Sequence, residues 1–398
     1  MVYKNELNGV QLPALGFGAM RMPLLPGGQT KDLDQEAVNA MVDYAMAHGV
    51  NYFDTACPYH DGYSEIVIGK ALAKYPRESF FLADKFPGHQ IMESYDPKAV
   101  FEESLKKCGV EYFDYYLLHN VNESSIKTYL DKKWGIAEYF IEQKRLGRIK
   151  HLGFSCHGDV PVMEALLNAY DGAYEFCQIQ LNYLDWTLQS AKAKYDYLTS
   201  KGLGVWVMEP IRGGKLAKLD DESEAALHAL RPEESTAAWS FRFLQELDNV
   251  KVVLSGMSAL DQMVDNVHTF EEKKLLTSEE KETLFAIAEK LKNAVPCTGC
   301  RYCCKGCPME LNIPQLIALY NDAKLYPSIN IRMKLDALGE KGMPENCISC
   351  GQCSSICPQR IDVPAVMQKM PEVFATVPSW VELCKQREAA AQKLREQK

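Results

Sequence analysis

The sequence predicts an α/β chain: a (β/α)8 barrel over residues 1–290, then a smaller, mostly helical domain over 291–380 and a charged helical tail over 381–398. Two observations predict the barrel. Eight short apolar runs alternate with amphipathic stretches from residue 15 to about 272. No Gly-x-Gly-x-x-Gly opens the first strand–helix unit, as an open doubly wound sheet would favour. A third observation sets off the second domain: nine of the 14 cysteines crowd between Cys297 and Cys357.

The apolar runs are LGFGAM (15–20), NYFDTA (51–56), FFLADKF (80–86), YFDYYLLHN (112–120), HLGFSCH (151–157), FCQIQLNY (176–183), GVWVMEP (204–210) and VKVVLSGM (250–257). Helix-like segments such as DQEAVNAMVDYAMAHG lie between them, and SAKAKYDYLTSKG ends in Lys-Gly, a helix stop. Eight strands with seven intervening helices, and one more after the last, is the count of a closed TIM barrel. The 47% of hydrophobic residues supply the core such a barrel needs. A net charge of −9 argues against a nucleic-acid partner, which wants a basic footprint. No apolar run approaches the roughly 18 residues of a membrane span, and the start MVYKNELNGV lacks a basic-then-apolar signal pattern. The expectation is a soluble, cytoplasmic chain with no membrane partner. Nothing in these patterns specifies an oligomeric state.

The cysteine-rich region repeats with a period of 50: Cys297, Cys300, Cys303 and Cys307 recur as Cys347, Cys350, Cys353 and Cys357, and CPMELNIP recurs as CPQRIDVP. A fixed period with matching flanks means a duplicated unit. Between the runs, NIPQLIALYNDAKLY has helical spacing. Each run reads C-x2-C-x2-C-x3-C-P, which holds 4Fe-4S clusters, the fourth cysteine ligating the other cluster. That assigns one cluster to Cys297, Cys300, Cys303 and Cys357, and another to Cys347, Cys350, Cys353 and Cys307. A pair of zinc sites is the alternative; Cys304 falls off the pattern. The region resembles the helical dicluster ferredoxin family, whose gap between runs exceeds that of compact two-cluster ferredoxins.

In the barrel, polar residues that packing does not require end several strands. Asp54 ends the second, Lys85 the third and His119 the fourth, while Tyr59 follows Asp54 by five residues. The C-terminal rim is where barrels do chemistry. Taken singly, Lys85 reads equally as a solvated strand end and His119 as a satisfied core histidine; four such residues on one rim point to a site. The blocks LGFGAMRMP, DTACPYHDGYSE, LADKF, DYYLLH, LGFS and MEPIRGGKL resemble those of the aldo/keto reductase family over about residues 5–290. The resemblance implies a catalytic tetrad of Asp54, Tyr59, Lys85 and His119. Tyr63 and His60 lie nearby, but their spacing from Asp54 fits the motif less well.

The roles can be argued from chemistry. A carbonyl that accepts hydride becomes an alkoxide and needs a proton donor, whereas a free phenol, with a pKa of about 10, is a poor acid–base group near neutrality. An ammonium about 4 Å away contributes roughly 4 kcal/mol at an effective dielectric of 20, worth about three pKa units, so Lys85 is expected to bring the Tyr59 phenol down. Asp54 would hold Lys85 charged, and His119 would orient the carbonyl.

The same resemblance implies a nicotinamide dinucleotide site, NADP or NAD. Gly18, Ala19 and Met20 fall in its first block. The amide of the ring would lie near Ser155, Cys156 and Gln178, with Cys156 where asparagine is commoner. Met208 takes the place of a ring-stacking tyrosine, leaving at most a softer sulfur contact. Arg212, Gly213 and Gly214, leading into Lys215, would bring backbone N–H groups to a pyrophosphate, or form an ordinary strand-to-helix turn. The stretch SGMSALDQMVDN resembles the family's adenosine-binding segment. Gly256 and Gln262 replace its usual lysine and arginine, with Ser258, Asp265 and Asn266 alongside, a pattern similar to the potassium-channel β-subunit branch.

The leading expectation is an oxidoreductase that interconverts a small-molecule carbonyl and an alcohol. An electron-transfer enzyme with a redox partner is the second; nicotinamide gives two electrons and a cubane carries one, so it would need a converter such as a flavin, for which no motif is evident. A redox-sensing binding module is the third, and the intact tetrad argues against it. The clusters read equally as structural caps and as electron carriers. The substrate and the direction of reaction are not encoded in any motif.

Overall fold

The computed structural model describes all residues except 91–92, 293–294, 296, 298–301, 326, 358–360, 378, 380–383 and 386–398. Cys300 and all of the expected tail but Cys384 and Lys385 lie outside the described residues.

An antiparallel hairpin comes first, β1 (Lys4–Leu7) with β2 (Val10–Pro13), turning at Asn8-Gly9. Eight parallel strands follow: β3 (Leu15–Gly18), β4 (Tyr52–Asp54), β5 (Phe81–Phe86), β6 (Phe113–Val121), β7 (Ile149–Cys156), β8 (Phe176–Gln180), β9 (Gly204–Met208) and β10 (Val250–Ser255). Each lies beside the next, and β10 pairs with β3 through Val253 and Leu15, so the sheet closes into a barrel. All eight expected runs are strands of the barrel. The hairpin was not anticipated, and further short helices, such as Asp185–Leu188 and Asp221–Leu230, decorate the loops.

The barrel interior is a second core, distinct from the layer between strands and helices. Tyr52, Tyr115, Phe176 and Trp206 fill it from β4, β6, β8 and β9, with the Phe176 and Trp206 rings 4.5 Å apart and Tyr52 and Tyr115 5.1 Å apart. Burying each such ring is worth about 1.5–3 kcal/mol. Leu12 of the hairpin joins this cluster, with Leu7 packed against it. Gly153 of β7 is required by the packing, because a Cβ there would stand 2.6 Å from the Phe176 carbonyl oxygen. Some of the helices around the barrel start with side-chain caps: Asp34 accepts from the N–H of Ala37 and Asp96 from that of Ala99, each cap worth about 1 kcal/mol.

Helix Ser278–Lys292 leads to the second domain. There the repeat is visible as structure: helices Tyr302–Lys305 and Ile313–Leu325 recur as Gln352–Ser355 and Val363–Ala375, 50 residues on. Their apolar faces, including Leu316, Tyr320, Met367, Met370 and Phe374, form a separate core that also takes in Cys303 and Cys353. Helix Ile329–Leu338, between the two repeats, lies against the C-terminal rim of the barrel: Lys334 Nζ is 3.5 Å from Asp159, just beyond β7. Among the described residues no helix is long and apolar enough to cross a membrane.

Candidate active site and cluster sites

The four residues expected to form a tetrad come together. Lys85, on β5, is fully buried, and its Nζ donates to Asp54 Oδ1 at 2.6 Å and to the Thr55 carbonyl at 2.7 Å. The ammonium stands 4.8 Å from the centre of the Tyr59 ring. Tyr59 heads a single turn, Tyr59–Gly62, in which His60 and Asp61 take left-handed φ angles of 51° and 54°. The ring of His119 meets that of Tyr59 edge-on at 5.7 Å. His60 is tied up elsewhere: its ring bonds the N–H of Met22 at 3.2 Å and the carbonyl of Thr30 at 2.8 Å.

Electrostatics correct one expectation. Burial pushes the Tyr59 phenol up, and Lys85 opposes this without overcoming it. Loss of water around the phenol outweighs the pull of the cation. Burial also disfavours the charge on Lys85, yet Asp54 and Tyr59 together hold its ammonium above the ordinary lysine range. The pair is thus a charged lysine beside a protonated phenol.

The residues expected at the cofactor lie along the same rim. Ser155 and Gln178 are register partners on β7 and β8, and Met208 pairs with Gln180 at the end of β9. Gln178 is buried, and its Oε1 has no partner among the described residues; the same holds for Asp54 Oδ2. Two buried acceptors without donors suit the amide and hydroxyl donors of a nicotinamide riboside. Gly18 ends β3, followed by buried Ala19 and exposed Met20; the next residue, Arg21, donates to Glu209 Oε1, just after β9, at 2.6 Å. Cys156 is buried, which pushes its thiol up to about 12. Arg212 is buried in an ion pair with Asp185 at 3.0 Å, and the N–H groups of Gly214 and Lys215 close the turn around Gly213. Beyond β10, Gly256 packs against Arg21, Ser258 N–H donates to Gln262 Oε1 at 2.9 Å, Asp265 accepts from Ser235 Oγ at 2.7 Å and Asn266 donates to Ser255 Oγ at 3.0 Å.

In the second domain, one cavity is lined by Cys307 of the first run together with Cys347, Cys350 and Cys353 of the second. This is the exchanged set expected for one cluster. Cys297 and Cys357 pack on the core that contains Cys303. Cys303 and Cys353 are buried and Cys350 is exposed. Among the described residues no three such side chains are placed to hold a single metal ion. A cubane binds each thiolate through a different iron, so its ligands need not converge on one ion.

Sequence reasoning missed several residues at the rim. His89 stacks edge-on against His119 at 4.6 Å, and Tyr129 donates its hydroxyl to the His119 carbonyl. Asp185 gathers Gln180, Asn182 and Arg212. No local pattern marks the His89–His119 and Arg212–Asp185 contacts, which join residues 30 and 27 positions apart, whereas Asn182 and Asp185 are only three apart.

Comparison with known proteins identifies both regions. A family model described as the aldo/keto reductase family matches residues 14–289, and one described as a 4Fe-4S dicluster domain matches residues 296–361. L-Galactose dehydrogenase from Arabidopsis thaliana is 26% identical over 308 residues, 72% of this chain and 93% of that protein. A probable aldo-keto reductase from Glycine max is 26% identical over 214 residues, 52% of this chain and 58% of its own length. Among solved structures, an aldo-keto reductase from Bacillus halodurans matches with a TM-score of 0.55 at 24% identity, covering 72% of this chain and 96% of that one. One from Klebsiella pneumoniae in complex with NADPH has a TM-score of 0.56 at 19% identity and covers 72% of this chain and 95% of that one.

Proposed function

Since the chain belongs to the aldo/keto reductase family and carries a 4Fe-4S dicluster domain, we propose that it interconverts a small carbonyl compound and its alcohol with Tyr59 as the proton donor and acceptor. The observation that carries this reading is the Lys85 ammonium, fixed by Asp54 and set beside the Tyr59 ring. Gln178, Asp54 and Ser155 would hold the nicotinamide half of NADP or NAD, which when bound supplies the hydride. Burial keeps the Tyr59 hydroxyl protonated at neutral pH, so it is ready to give its proton to the oxygen that becomes an alkoxide. An alkoxide is far more basic than a phenolate, so the transfer runs downhill even from a raised phenol. Lys85 then stabilises the phenolate left behind, and Asp54 keeps the ammonium from moving toward it. His119 orients the carbonyl oxygen from the adjacent strand. Cys297, Cys300, Cys303 and Cys357, and Cys347, Cys350, Cys353 and Cys307, would hold two 4Fe-4S clusters.

The test is carbonyl-dependent oxidation of NADPH or NADH by anaerobically purified, iron-loaded protein. One probe is 4-nitrobenzaldehyde; the other is methylglyoxal, which an Escherichia coli relative is named for reducing. Turnover with at least one pair supports the reading. Cofactor that binds but is never consumed, with a range of aldehydes and ketones, contradicts it. A second reading, electron exchange between the clusters and a redox partner, is favoured by the exposure of Cys350 beside buried Cys353.

A further inference from the structure

Strand β6 is irregular where it carries His119. Its ladder to β7 runs from Leu118–Phe154 directly to Val121–Cys156, so one residue more is spent on β6 than on β7. His119 and Asn120 occupy this bulge, and Asn120 has a left-handed φ of 57°. Bulges re-aim side chains beside active sites, and a non-glycine residue in this conformation persists only where its surroundings hold it. Part of the support comes from the barrel, since the N–H of Asn120 donates to Ser155 Oγ at 2.7 Å. The rest comes from the iron–sulfur domain. Met333, buried on helix Ile329–Leu338, places its Sδ 3.6 Å from Asn120 Nδ2 and 3.5 Å from Asn122 Nδ2, and its carbonyl accepts from Ser124 Oγ at 3.1 Å. On the same helix Asn330 Nδ2 lies 3.0 Å from Nδ1 of His157, the residue after Cys156. Burial, with Lys194 and Lys334 nearby, pulls that imidazole down to about 3, so it is neutral and Nδ1 can accept.

We propose that Met333 and Asn330 are positioning residues: acting through Asn120 and His157, they fix the ends of β6 and β7, and with them His119 and Ser155, against the bound carbonyl and cofactor. The iron–sulfur domain thereby completes a site whose chemistry belongs to the barrel. This rests on the tetrad reading above, and the test keeps the two apart.

The test uses the full-length, iron-loaded protein, with 4-nitrobenzaldehyde and NADPH as probes. Displacing a reacting group by about 1 Å can cost on the order of 100-fold, so Met333→Ala, which leaves the barrel's own braces in place, is expected to lower kcat/KM for the aldehyde about tenfold. Cofactor Kd, iron content and melting temperature should stay near wild type, and Met333→Leu, which restores the bulk but not the sulfur acceptor, should recover only part of the loss. Asn330→Ala is expected to raise the cofactor Kd, because it frees the Ser155 end of β7. Unchanged kcat/KM in Met333→Ala overturns the proposal. So does a loss that merely tracks lost iron and lowered melting. If Met333→Ala does not fold, Asn330→Ala decides alone: an unchanged cofactor Kd overturns the proposal and a raised one supports it. Tyr59→Phe separates the levels. An active Tyr59→Phe removes the tetrad reading, whereas an inactive one beside a normal Met333→Ala removes only the positioning role.

Discussion

The Lys85 ammonium, fully buried, stands 4.8 Å from the centre of the Tyr59 ring. A charge at that distance from a phenol matters most after the proton has left, when it faces a phenolate. The pair is therefore suited to transient charge on Tyr59 more than to a permanently acidic phenol, which agrees with the raised phenol.

Lys85→Met should therefore damage two properties. It removes the partner of a buried carboxylate, Asp54, and breaking such a pair costs about 3–5 kcal/mol, read as a lower melting temperature. It also abolishes measurable turnover. Because the folded-state pKa of Lys85 is raised, its contribution to stability is complete below the ordinary lysine range, about 10.4, and is lost as pH rises through the higher folded value. Wild type should lose stability at strongly alkaline pH in a step that Lys85→Met lacks, measurable by denaturant titration.

Gly153→Ala should destabilise the barrel by about 1–3 kcal/mol, the usual cost of overpacking, because the new methyl meets the backbone of Phe176. Residues on β8 would shift with it, so cofactor affinity, which depends on Gln178 in this account, should fall as well. Calorimetry and a cofactor titration check the two effects together.

Glu280 opens the helix that leads to the second domain and is gripped by Arg231 at 2.5 and 2.8 Å. Chiefly through that bond, its carboxyl is lowered to about 2. Its stabilisation is present above the ordinary glutamate range and is lost as pH falls toward about 2. Glu280→Gln should be less stable than wild type near neutrality, with the gap closing in urea titrations as the pH is lowered. A gap that stays constant contradicts the ion pair's role.

Cys347→Ser removes one ligand from the cavity shared by Cys307, Cys350 and Cys353. Iron content should fall by about half or more, since the exchanged fourth cysteines tie the two clusters together. Anaerobic NADPH should leave cluster absorbance unchanged in the wild type, because hydride moves as a pair of electrons and each cubane takes one. Bleaching would favour the electron-transfer reading.

Much of this is legible in the sequence. The strands show as apolar runs because parallel strands are buried on both faces, and the tetrad residues stand out as polar groups ending such runs. The cysteine repeat carried its own period into equivalent helices. The first hairpin carried a signal that went unread: Asn8-Gly9 supplies the two positive φ angles, 51° and 81°, of a tight turn. The direction of the Tyr59 shift was not legible, because it depends on how much water the fold removes. Nor was the contact of Met333 with Asn120, which joins residues 213 positions apart and leaves no local pattern.

The most direct measurement of the central claim is single-turnover hydride transfer from NADPH to 4-nitrobenzaldehyde in wild type and Tyr59→Phe, with cofactor affinity measured in parallel. General acid catalysis contributes about 100- to 10,000-fold, so the account predicts a rate lower by at least about 100-fold in the variant, with cofactor affinity unchanged. A variant that transfers hydride at the wild-type rate would show that the proton comes from elsewhere, and the role assigned to Tyr59 and Lys85 would be lost.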